Sequence, residues 1–265
     1  LDKDLSEADA QKLWGELKGF APALQKNENV ITAYLNKLSP KSLEAALKDN
    51  KKNEILTNQG TPILMDNISD DHFETKLNET LNSYAKDQQS TLLKISLTHM
   101  LTTGKYYKYY VILQKLKTID QTQYHEQYEM FINYIKSKDV TTWNQFPKEI
   151  SQNTDIVIEY LSANSGEDGI NVWNGGSLGE LKNDVAFVAK ALIAISANLD
   201  LKKPEESIAK PLAALQIYHA FDDSMKDNQA IKDARNIIVA ELWPKLTEGL
   251  EKKTGKTTEF IELND

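Results

Sequence analysis

The stretch Ser177–Leu201, SLGELKNDVAFVAKALIAISANLDL, is the most apolar run in the chain, and its reading decides the fold. Between Val185 and Ile195 only Lys190 is charged. A helix that is apolar nearly all round must be covered on several sides, so this segment is expected to be the central helix. It is too short, and too interrupted by Lys190, to cross a bilayer. Ser177, with Glu180 three places on, has the form of a capping box behind the loose backbone of Gly175 and Gly176. Asn198, Asp200 and Pro204 mark its end.

Working outward, helical stripes recur. Leu13, Leu17, Phe20 and Leu24 share one face of a helix expected over 6–26. Phe73, Leu77, Leu81 and Tyr84 do the same behind the cap Ser69, as do Tyr124, Tyr128, Phe131 and Ile135 over 122–136. Ser39-Pro40 and Pro204 open helices, Gly104 and Gly255 close them, and Pro244 is expected to break a long helix over 228–253. Residues 49–69, polar and holding Gly60 and Thr61-Pro62, read as a long irregular loop. Residues 167–176, EDGINVWNGG, read as a glycine-rich loop carrying Trp173, and 257–263 as a terminal strand or frayed tail.

Period-2 alternation is almost absent. The expected fold class is therefore all-α: an irregular multi-helix bundle or stacked antiparallel helix pairs, about ten or more helices around the buried helix near 177–199. No recurring period marks a repeat array. A single helical domain over 1–265 is expected, with a candidate subdivision at the 137–153 connection.

Composition narrows function. The chain of 265 residues has a net charge of -8 and no cysteine. The missing thiols exclude disulfides, thiolate catalysis and cysteine-ligated metals. Arg235 is the only arginine, and with a pI near 5.2 this argues against nucleic-acid binding and against a basic membrane patch. A mean hydropathy of -0.50, 26% charged residues and no membrane-length apolar run describe a chain without a transmembrane segment. The cysteine-free composition fits a bacterial protein of extracytoplasmic location (secreted, periplasmic or anchored at the cell surface) and also many cytosolic ones; the extracytoplasmic location is the one expected, with Leu at position 1 read as the mark of a removed N-terminal segment.

Two constellations carry chemistry on paper. Gly175-Gly176-Ser177-Leu178-Gly179 matches the nucleophile elbow G-x-S-x-G, with Asp184 or Asp200 and then His219 downstream in the order a serine hydrolase uses. The elbow needs a parallel sheet to stand on, and no run of buried strands precedes it, so the favoured reading of Ser177 is a helix cap. His219 and Asp222 share a helix face at i and i+3, and Asp71-His72 offers a second pair for a metal. Neither pair has an established ligand spacing. Asn164–Gly169, NSGEDG, lacks the ladder of a calcium loop. No cofactor and no metal are expected.

Binding has a different signature. Tyr106, Tyr107, Tyr109 and Tyr110 alternate with Lys105 and Lys108, and Tyr offers a rigid apolar face with a polar tip. Tyr106, Tyr109, Tyr110 and Trp173 are the candidate ligand contacts, set against helix–helix packing as the plainer use of such rings. The leading expectation is a non-enzymatic secreted or cell-envelope helical domain that binds a protein or glycan. The alternatives are a hydrolase, of serine type at Ser177 or metal-dependent at His219 and Asp222, and a helical accessory domain of a larger secreted enzyme.

Overall fold

The structure is a computed structural model and describes residues 8, 9, 12, 28–49, 54–164, 167–197 and 199–255. Most of the helix expected over 6–26, and all of 257–263, lie outside these residues. Every regular element among the described residues is helical, as the missing period-2 patterning requires. The chain forms two compact units, Leu1–Glu129 and Met130–Asp265. Their boundary falls inside a helix, Gln121–Lys136, ahead of the 137–153 connection.

The first unit holds α1 (Glu28–Leu35), α2 (Pro40–Asp49), α3 (Glu54–Asp66), α4 (Asp70–Leu81), α5 (Lys86–Thr102), α6 (Tyr106–Ile119) and the start of α7 (Gln121–Lys136). Ser39 caps α2, its hydroxyl accepting from the Ser42 amide at 3.2 Å, with Pro40 at the first helical position. The expected stripe of α4 is buried: Phe73, Leu77 and Leu81 are core residues. Ser69 precedes α4, but its hydroxyl pairs with His72 Nδ1 at 3.2 Å instead of capping the backbone.

The irregular loop expected over 49–69 is corrected: α3 occupies 54–66. Gly60 and Pro62, the residues that suggested a loop, serve packing instead. A Cβ at Gly60 would stand 2.8 Å from Leu47 Cδ2, so the absent side chain lets α2 approach α3. Leu56, Ile63 and Leu64 then join Leu35, Leu43 and Leu47 in one apolar cluster. Pro62 is buried inside the helix and lacks the N–H that would bond the Asn58 carbonyl. Helix α5 packs between α3 and α6.

The second unit contains α8 (Val140–Trp143), α9 (Lys148–Ser151), α10 (Thr154–Ala163), α11 (Glu167–Asn174), a 3₁₀ stretch Gly176–Asn183, α12 (Val185–Ser196), α13 (Pro204–Ser207), α14 (Ala209–His219), α15 (Asp223–Lys226), α16 (Gln229–Asn236), a π-helical turn Ile237–Leu242 and α17 (Trp243–Thr254). Helix α12 is the hub of this unit, with α10, α14 and α16 packed on it. Phe187, Val188, Ala191, Leu192 and Ile195 are buried on its several faces. Ala186 and Lys190 are exposed and Ile193 half-buried, so a narrow i, i+4, i+7 stripe faces water and accommodates the one charge.

The start of this helix differs from the expected one. Ser177 does not cap it. Asp184 does, its Oδ1 accepting from the amides of Ala186 at 2.9 Å and Phe187 at 3.3 Å. The cause lies at Gly179, whose φ of 52° and ψ of -130° break the helical path between Ser177 and Val185. That positive φ strains any other residue, and a Cβ there would stand 2.5 Å from Gln152 Nε2, so glycine is favoured. The glycine-rich loop expected over 167–176 is mostly α11: Gly169, Val172 and Trp173 are buried at i, i+3 and i+4. The break expected at Pro244 takes the form of the π turn followed by a new helix with Pro244 in its first turn.

Candidate functional site

Ser177 sits beside a buried aromatic cluster. Trp143 is fully buried, and its indole N–H donates to Ser177 Oγ at 3.0 Å. Tyr160 lies against the same indole with ring centroids 4.2 Å apart, and Phe146 meets it edge-on at 5.7 Å. Burial pushes the Tyr160 phenol up to about 12, and its hydroxyl donates to the Lys138 carbonyl at 3.1 Å. Gln152 Nε2 donates to the Ser177 carbonyl at 3.4 Å. Among the described residues no hydrogen bond joins Ser177 to His219, Asp184 or Asp200, and no strand lies beneath the serine. Asp184 is used as the cap of α12, and Asp200 accepts from the Lys202 amide at 3.0 Å.

His219 ends α14, exposed, with Tyr218 edge-on to its ring at 5.5 Å. Asp222 is the N-cap of α15. It accepts from Ser224 Oγ at 2.6 Å and from the Met225 amide at 2.9 Å, and these bonds hold its carboxyl below the usual range. His99 faces Asp66, with 3.4 Å between Nε2 and Oδ2. No group of three or more His, Asp or Glu among the described residues is arranged to hold a metal ion.

The aromatic candidates are largely core. Tyr106 and Tyr109 are buried, while Tyr107 and Tyr110 are half-buried. Tyr109 directs its hydroxyl to the Gln127 carbonyl at 3.4 Å, and burial drives its pKa up. Lys108, between them, is also buried. Its Nζ donates to the Asp66 carbonyl at 2.6 Å, where a cation complements the C-terminus of α3. Burial lowers the Lys108 pKa against the opposing pull of Asp70 and Asp66. Trp173 is buried in the second unit, stacked on Phe187 with centroids 6.3 Å apart and planes 7° from parallel. Lys182 Nζ lies 5.8 Å from the centroid of the same ring. The tyrosines thus stiffen α6 in the first unit, and Trp173 anchors α11 on α12 in the second.

One feature absent from the sequence reading stands out in the first unit. A cleft of about 240 Å³ opens between α3 and α5. Helix α3 contributes Glu54, Thr57 and Asn58; α5 contributes Asp87, Gln88, Thr91 and Leu92; Tyr84, in the turn before α5, completes the wall. Thr57 is 5% exposed and Thr61 fully buried, and neither hydroxyl makes a well-formed hydrogen bond. Burial raises the Tyr84 phenol, and the nearby Thr61 and Thr57 hydroxyls pull it down. These hydroxyls lie close to the phenol oxygen without attaining hydrogen-bond geometry. The sequence hid this cleft because its α3 wall falls in the segment that reads as a loop.

In comparisons with known proteins, the chain matches no family model, no curated protein and no solved structure.

Proposed function

We propose that the chain is a non-enzymatic helical module of a bacterial cell exterior, secreted or held in the envelope, that binds a protein or glycan partner. The observation that carries this reading is the use made of Ser177. Its hydroxyl receives the indole N–H of the fully buried Trp143, and no histidine approaches it by hydrogen bond. A serine nucleophile needs a base within hydrogen-bond reach to take its proton. Asp222, the other candidate, spends its carboxylate on capping α15. The polar cleft of the first unit supports a binding role.

The test is direct. Native protein is treated with a fluorophosphonate probe, digested and mapped, and its metal content is measured by mass spectrometry. The proposal predicts no adduct at Ser177 and no stoichiometric metal. An adduct at Ser177, or one retained equivalent of metal lost on His219→Ala, overturns it in favour of a hydrolase.

A further inference from the structure

We infer that the cleft between α3 and α5 binds one neutral sugar residue. This deepens the binding function proposed above and rests on it. Four observations converge. The first is size. At about 30 Å³ per water the cleft of about 240 Å³ holds roughly eight waters, the space of a single pyranose ring.

The second is the chemistry of the wall. Asn58 and Gln88 present amides, each both donor and acceptor, and Glu54 and Asp87 present carboxylates that accept. Paired sugar hydroxyls need that mixture. Among the described residues no lysine, arginine or histidine lines the cleft, and the two carboxylates repel an anionic ligand. Two carboxylates alone also fall short of a metal ligand set.

The third is Tyr84. Its half-buried ring provides an apolar face for the C–H side of a sugar, and its hydroxyl provides a polar tip. The fourth is the unfilled hydrogen-bonding capacity. Thr57 is buried on the cleft wall, its hydroxyl enclosed beside the Tyr84 phenol and not open to the cleft. Pro62, four residues beyond Asn58, cannot supply the helical N–H to the Asn58 carbonyl. Buried polar groups are rarely left unmatched, and a hydroxyl-rich ligand supplies what is missing.

The experiment is an amide NMR titration of the full chain with glucose, galactose, mannose and N-acetylglucosamine. Glucuronate serves as the anionic control and spermidine as the cationic one. The inference predicts saturable shifts at the amides of 54–58 and 84–92 with at least one neutral sugar, in the millimolar range typical of a single small ligand. Glucuronate should leave these amides unmoved. Asn58→Ala and Gln88→Ala should each weaken the neutral sugar at least about fivefold, the loss of one hydrogen bond. Asn58 and Gln88 are not buried, so thermal midpoints of both variants close to wild type separate a ligand role from a structural one. Silence at these amides with every neutral sugar, or shifts with spermidine alone, overturns the inference. A silent titration beside an unlabelled, metal-free protein would discard the sugar site alone. An adduct at Ser177 would discard the non-enzymatic reading whatever the titration shows.

Discussion

Ser177→Ala separates a structural serine from a catalytic one, and its cost follows from the surroundings of Trp143. The indole N–H has one acceptor, Ser177 Oγ at 3.0 Å, and the tryptophan is fully buried. Removing the acceptor strands a buried donor, which costs about 1–3 kcal/mol. That is a large share of the roughly 5–15 kcal/mol that stabilises an ordinary domain. Urea unfolding followed by far-ultraviolet circular dichroism should show a lower midpoint at unchanged slope. Trp143→Phe supplies the control. It removes the N–H and part of the ring, so the variant is itself destabilised by about 1–3 kcal/mol through lost packing. With no N–H left to strand, adding Ser177→Ala to it should cost almost nothing. The cycle should therefore return a coupling of about 1–3 kcal/mol between the two residues. A Ser177→Ala protein within a few tenths of a kcal/mol of wild type, with no coupling, would refute the reasoning.

Further predictions concern the caps, the core and the acid limb. Asp184→Ala should lower stability by about 0.5–2 kcal/mol, because two amides at the start of α12 lose their acceptor; urea unfolding measures it. Gly60→Val should cost about 1–3 kcal/mol by driving α2 off α3, seen as an earlier thermal transition. Tyr109→Ala should cost about 3–5 kcal/mol as a core truncation, and its melt should reveal an unfolding unit. The Asp120 carboxyl is held below its ordinary value by the Gln123 amide and the Ser90 hydroxyl. A depressed folded pKa means stability present above the unfolded value of about 3.9 and lost as pH falls through the folded one. Asp120→Asn should therefore flatten the fall in midpoint below about pH 4 in an acid titration of unfolding, and an unaltered acid limb would contradict the assignment.

Much of the architecture is legible in the residues, and the places where it is not have physical causes. The run Val185–Ile195 announces a covered helix because its apolar positions leave room for only one charged stripe. The stripe Phe73, Leu77, Leu81 and the closing glycines Gly104 and Gly255 are equally plain, and both glycines adopt positive φ. Local signals fail where a distant partner redefines them. Gly60 and Pro62 resemble a loop until Leu47 arrives to use the missing side chain. Ser177 with Glu180 has the spacing of a cap, but Gln152 and the left-handed Gly179 turn the chain away before the helix begins. For the candidate site, the nucleophile motif lacked its sheet in the sequence and lacks a strand among the described residues. The tyrosine run was visible, but which rings face inward depends on α3, α5 and α7, and spacing along one helix does not contain them. The α3–α5 cleft pairs residues about thirty apart, so no local motif could have disclosed it.

The most direct test of the account is the side-chain indole resonance of Trp143, one of four tryptophans in the chain. If Ser177 serves as an internal acceptor in a helical body, this N–H should exchange slowly with solvent. It should shift and lose protection on Ser177→Ala while the helix amides of 187–196 keep theirs. An indole proton that exchanges freely in the native protein, or one that ignores the substitution, would contradict it.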